Sequence, residues 1–127
     1  MEAPKFTGLV PILESWDMTA TISFYTNTLG FRLEGKGEAN GEINFAMLNK
    51  DMVYIIFRSP NQHLGYQGPE FSGQLYIYTN DVDTVWQFVQ GRAHVVYPIE
   101  SFSHGMREFA IRDNNGYILT FGKPIDV

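Results

Sequence analysis

The chain of 127 residues contains no cysteine. That excludes a disulfide framework, a thiol nucleophile and thiolate metal ligands. It also has no cluster of lysine and arginine: nine basic residues face 14 acidic ones, for a net charge of −5. This balance argues against a nucleic-acid partner and mildly favours cationic ligands. No stretch approaches the ~18 consecutive apolar residues of a membrane-spanning helix, so no membrane partner is expected. The opening Met1-Glu2-Ala3-Pro4-Lys5 lacks the basic segment and apolar run of a secretion signal, and a cytoplasmic location is expected. What the chain does have is apolar and aromatic material, 44% and 15% of residues, enough for one folded domain over residues 1–127.

The chain also repeats itself. The segment Phe45-Ala46-Met47-Leu48, leading through Lys50-Asp51 to Phe57, returns 64 residues later as Phe109-Ala110-Ile111-Arg112, leading through Asp113-Asn114-Asn115-Gly116 to Phe121. The same ungapped offset carries Asp17 onto Asp81, Phe24 onto Phe88, Gly41 onto Gly105 and Pro60 onto Pro124. Identity between the halves is low, but the hydrophobic pattern stays in register. A repeat at half length means one supersecondary unit used twice.

Each unit reads as strand, helix, then three strands. In the first, residues 6–13 form a strand interrupted by Pro11, a sign of an edge or a bulge. Asp17 caps a helix carrying Ile22, Tyr25 and Leu29 on one face, and Gly30 ends it. Strands follow at 31–36, 43–49 and 52–58, with turns at 37–41 and around Lys50-Asp51. In the second unit, strand 74–79 precedes a helix capped by Asp81 and ending at Gly91, with Trp86 as a core residue. Strands 94–99, 106–112 and 117–121 complete it, the last two joined across Asp113-Asn114-Asn115-Gly116 as turn chemistry. The units span 5–58 and 72–122, with a polar, Gly- and Gln-containing linker at 59–71. The fold class is therefore α+β: two tandem βαβββ units whose sheets curl around a shared cavity.

Phe24-Tyr25 followed by Leu29-Gly30-Phe31, the helix start Asp81-Val82-Asp83, and the closing Gly105-Met106-Arg107-Glu108-Phe109 through Asn115-Gly116-Tyr117-Ile118-Leu119 together resemble the vicinal oxygen chelate superfamily of glyoxalases, extradiol dioxygenases, fosfomycin-resistance enzymes and bleomycin-resistance proteins. The resemblance spans nearly the whole chain. It implies four symmetric seats for metal ligands, which fall on Val10, Gln74, Ile56 and Thr120. Two are aliphatic, one is a neutral amide and one a hydroxyl, a poor set for a divalent cation. Moving two residues along each strand gives Ile12, Tyr54, Tyr76 and Ile118, no better. No metal and no other cofactor is expected. Of the three histidines, His63 falls in the linker, His94 begins a strand, and His104 lies in a loop near Glu100 and Glu108, the one place left for a displaced metal site.

If the seats face the cavity, so do Ile12, Tyr54, Tyr76, Tyr78 and Ile118, whereas Leu13, Ile55, Phe57, Ile77, Leu119 and Phe121 pack under the helices. An aromatic, weakly polar pocket suits a small organic molecule, aromatic or cationic. Ligand-binding candidates are Gln74, Tyr76, Tyr54, Arg107, Thr120, Ile12 and Trp16, the last weighed equally as a helix staple. An even-length loop at 113–116 turns Arg107 inward together with Ile111; a change of one residue turns Glu108 inward instead. The resemblance thus points to metal-independent sequestration by a homodimer similar to bleomycin-resistance proteins, with no catalytic residue assigned. The alternatives are a lyase or isomerase of the glyoxalase or dioxygenase type with displaced or absent metal ligands, and an interaction module with a vestigial cavity.

Overall fold

A computed structural model describes residues 3–5, 7–60 and 71–125. Phe6, most of the linker and His63 lie outside the described residues. Two four-stranded sheets follow one another. The first contains β1 (Ile12–Glu14), β2 (Arg32–Ala39), β3 (Glu42–Lys50) and β4 (Val53–Arg58); the second contains β5 (Gln74–Tyr78), β6 (His94–Ser101), β7 (Met106–Arg112) and β8 (Ile118–Pro124). Helix α1 (Met18–Ser23) links β1 to β2, and α2 (Val82–Val89) links β5 to β6. The strand orders are β1-β4-β3-β2 and β5-β8-β7-β6, with a parallel pair at one side of each sheet. The two tandem βαβββ units are therefore as the repeat predicts. The registers of the parallel pairs are repeated too: Ile12 lies opposite Ile56, and Tyr76 opposite Thr120, each 64 residues on.

Local chemistry explains the elements. The Asp17 side chain accepts from the Ala20 amide at 3.0 Å, and that of Asp81 from Thr84 at 3.1 Å, so both expected caps are present. Thr19, Thr21 and Ile22 are weak helix formers, and α1 is short. It widens into a π-helical turn over Phe24–Thr28 before Gly30, at φ 76°, stops it. The first strand is shorter than expected, starting only after Pro11. The turn expected over 37–41 is tighter: β2 runs on to Ala39, and Asn40 and Gly41, both at positive φ, make a two-residue hairpin. Gly35 and Gly37 had disguised that strand.

One feature of the repeat does not survive folding. The β3–β4 hairpin turns in two residues, pairing Lys50 with Val53. The β7–β8 hairpin closes with Arg112 opposite Ile118, a five-residue loop. Here Asp113 accepts from the amides of Asn115 and Tyr117 at 2.8 and 2.9 Å, holding Tyr117 in the loop. The loop is odd where an even one was expected, so β7 is rotated by one residue relative to β3. Phe45 faces outward, 36% exposed, whereas its repeat partner Phe109 is fully buried against Trp86. The segment that announces the repeat therefore presents opposite faces in its two copies.

The core joins both units: Leu13, Tyr25, Leu48, Ile55 and Phe57 from the first, and Val82, Val89, Phe109, Ile111, Leu119 and Phe121 from the second. Each such side chain contributes about 1.5–3 kcal/mol on burial. A polar latch ties the halves together within the chain. The Tyr25 hydroxyl donates to Asp113 Oδ2 at 2.7 Å, and the Tyr117 hydroxyl donates to the Glu14 carbonyl at 2.8 Å. Asn114 and Asn115 meet the Thr21 hydroxyl.

Candidate functional site

The faces that turn away from the helices are exposed at their margins, whereas the middle of the second, at Glu108, Ala110 and Thr120, is buried within the chain. On the first sheet, Ile12, Phe45 and Tyr54 are exposed. On the second, the open face carries Gln74, Tyr76 and Tyr78 from β5, Ile118, Thr120 and Gly122 from β8, and Glu108 and Ala110 from β7, as their registers dictate. The separation of Ile12, Tyr54 and Tyr76 from the buried Leu13, Ile55, Phe57, Leu119 and Phe121 follows the predicted alternation. Trp16 is 72% exposed, which removes the buried-staple reading.

Arg107 requires correction. The odd hairpin loop turns it to the helix side, where its guanidinium bonds Asp83 near the start of α2 at 2.8 Å and Ser101 at 3.1 Å. Ile111 moves with it, opposite Leu119 in the core. The charge on the open face is Glu108, the alternative that an odd loop predicts.

Glu108 organises this face. It is only 7% exposed. Its Oε1 accepts from the Tyr76 hydroxyl at 3.0 Å and meets His104 Nε2 at 3.0 Å, and its Oε2 accepts from Tyr97 at 2.5 Å. Burial pushes the carboxyl up, but the bonds from Tyr97, His104 and Tyr76 outweigh it and hold Glu108 below the ordinary carboxylate value. The two phenols move the other way: burial and the bond to Glu108 raise both Tyr76 and Tyr97. A firmly ionised carboxylate held by firmly protonated phenols is a poor acid–base couple at neutral pH.

Tyr76 reaches Glu108 by crossing β8 directly over Gly122. A β-carbon placed there would overlap the phenolic oxygen and stand 2.7 Å from Cζ, so the crossing requires glycine. Sequence reasoning passed over Gly122 and Tyr97. A glycine inside a strand was the available signal for a close approach; Tyr97, ahead of Pro98 in a bulged strand, gave none.

The four seats do not suit a metal. Val10 and Ile56 offer no donor atom. Thr120 donates its hydroxyl proton to the side-chain oxygen of Gln74, so the two polar seats satisfy each other. Two hard, neutral oxygens do not make a site for a divalent cation. Among the described residues, no group of three or more His, Asp or Glu side chains could hold a metal. His104 and Glu108 do come together, and Glu100 lies opposite Glu108 across β6 and β7, but the Glu108 oxygens are engaged by the tyrosines. His94 pairs across the strands with Arg112, away from this cluster.

No curated protein sequence matches the chain significantly. Solved structures share its fold. TioX from Micromonospora sp. ML1 superposes with a TM-score of 0.78 at 21% identity, over 94% of this chain and 100% of TioX. The bleomycin-binding protein from bleomycin-producing Streptomyces verticillus, complexed with copper(II)-bleomycin, superposes with a TM-score of 0.68 at 24% identity, over 98% of each chain. A glyoxalase/bleomycin resistance protein/dioxygenase from Nocardioides gives 0.74 at 15% identity, over 98% of this chain and 87% of its own. At these identities the likeness concerns the fold. The sequence itself matches the family model for residues 15–121, and the chain belongs to the Glyoxalase/Bleomycin resistance protein/Dioxygenase superfamily.

Proposed function

We propose that this protein binds a small organic molecule without a metal, over the open sheet faces, and acts by sequestering it. The observation that carries this reading is the set of four seats, two aliphatic and two satisfied by each other through the Thr120–Gln74 bond. Tyr54 and Ile12 on one sheet and Tyr76 and Gln74 on the other supply aromatic surface and a polar amide, the usual composition of an organic-ligand site, and the buried Thr120 holds that amide through its hydroxyl. The bleomycin-binding protein of the same fold is a precedent for such binding, with aromatic or cationic antibiotics as a ligand class to screen. A metal-free lyase or isomerase would need a base, and Glu108 is the available group; its bonds from two phenols and an imidazole leave it poorly placed for that work. Trp16 is assigned to the rim. The protein acts in the cytoplasm on this reading.

The test is elemental analysis of protein purified without chelator, beside calorimetric titration with Zn²⁺, Ni²⁺, Mn²⁺ and Fe²⁺. The expected result is no stoichiometric metal and no binding tighter than about 1 mM. One tightly held metal per chain would overturn the reading.

The exposed Ile12, Phe45 and Tyr54 on one sheet and Tyr76 and Tyr78 on the other leave apolar surface turned away from the helices. A homodimer that brings open faces together buries them and walls the ligand site. Sedimentation equilibrium should give the mass of two 14.5 kDa chains; a single-chain mass at micromolar concentration would refute the dimer.

A further inference from the structure

Beyond sequestration in general, the second sheet has a chemistry of its own. Glu108 is buried, and among the described residues its one salt-bridge partner is His104, an imidazole that is a cation only when protonated. The nearby guanidinium of Arg107 lies on the other side of the sheet, paired with Asp83. Glu100, across the strands from Glu108, adds a second carboxylate and no compensation. A buried carboxylate without a full cationic partner is costly unless something completes it.

The surrounding groups are oriented consistently. Tyr76 and Tyr97 both direct their hydroxyl protons into Glu108, and Thr120 directs its proton onto Gln74. Toward a ligand, the phenol oxygens therefore offer acceptor lone pairs, and the carboxylate behind them, engaged by its three donors, offers its negative charge. A phenol that donates to a carboxylate also carries a more electron-rich ring. The Tyr76 and Tyr78 rings lie 5.2 Å apart, with Tyr78 72% exposed, so an accessible aromatic wall stands beside the carboxylate. Acceptors, negative charge and π faces together suit an N–H-bearing cation on an apolar body.

We propose that Glu108, Tyr76, Tyr78 and Tyr97 form a subsite for an organic cation, a protonated amine or guanidinium carried on an aromatic or aliphatic body. It rests on the sequestration reading and adds the class of ligand.

The test compares 2-phenylethylammonium with its neutral isostere 2-phenylethanol by calorimetry on the full chain, and maps both by amide chemical shifts. The ammonium should bind at least about tenfold tighter, a difference of ~1.4 kcal/mol, and shift the amides of Tyr76, Tyr97 and Glu108. Glu108→Gln should abolish that preference while leaving the alcohol's affinity within about twofold. Equal affinities in the wild type, a preference that survives Glu108→Gln, or shifts confined to the first sheet would each overturn the subsite and leave sequestration standing. Binding of neither probe would overturn both. The shift map needs only wild-type protein, so it decides the matter even if the variant fails to fold.

Discussion

Asp113→Ala is expected to lower the unfolding free energy by about 3 kcal/mol. Asp113 is buried and accepts three bonds: from the Tyr25 hydroxyl at 2.7 Å and from the amides of Asn115 and Tyr117 at 2.8 and 2.9 Å. Alanine strands all three donors, and the Tyr25 side chain is fully buried, so water cannot readily replace the carboxylate there. Tyr25→Phe removes one bond and should cost about 1 kcal/mol. If chemical denaturation finds Asp113→Ala no worse than Tyr25→Phe, the latch does not hold loop and helix together.

The same residue gives a signed pH dependence. Burial raises the Asp113 carboxyl above its ordinary 3.8, more than the bonds from Tyr25, Tyr117 and Asn115 lower it. The folded chain therefore keeps this proton to higher pH than the unfolded chain. The associated stability is full below pH 3.8 and is lost as pH rises through the folded-state value. Relative to the non-titrating Asp113→Asn, the wild type should weaken over that rise. Glu108 runs in the opposite direction: held below 4.5, it stabilises at neutral pH and ceases to do so as pH falls through its lowered value.

Gly122→Ala should destabilise by about 1–3 kcal/mol, although alanine normally gains on glycine in a strand. The added methyl group overlaps the Tyr76 ring tip and drives it off Glu108. The decisive comparison is the same substitution in a Tyr76→Ala background. There the obstruction is gone, and Gly122→Ala should become neutral or stabilising by about 0.5 kcal/mol. An equal cost in both backgrounds would show that Tyr76 is not the reason for the glycine.

The sequence carried the architecture because that depends on patterns which survive small errors. Asp17 and Asp81 announce their helices, Gly30 ends the first, and the alternation in residues 53–57 sorts buried from open side chains whatever the exact strand ends. The site depends on parity, which does not survive such errors. Whether Arg107 or Glu108 lies on the face turned away from the helices depends on one residue of loop length. Asp113, by accepting from the Tyr117 amide, adds that residue in a way that composition does not reveal. The ungapped repeat encouraged the wrong choice, since Phe45 and Phe109 match in sequence yet occupy opposite faces. The Tyr25–Asp113 latch was equally hidden, because nothing in either segment marks two positions 88 residues apart as neighbours.

The outermost strands restrict how copies of this chain can associate. β1 has three residues and follows Pro11. β2 alternates Arg32, Glu34, Lys36 and Glu38 and breaks register twice. β6 contains Pro98 and breaks register twice, and β5 is five residues long. Short, charged, kinked or proline-bearing borders are poor templates for another chain's backbone. Growth by adding strand to strand, the route to fibrils, is thereby discouraged at the sheet margins. Any association of copies is left to side chains on their broad surfaces rather than to backbone pairing at these margins.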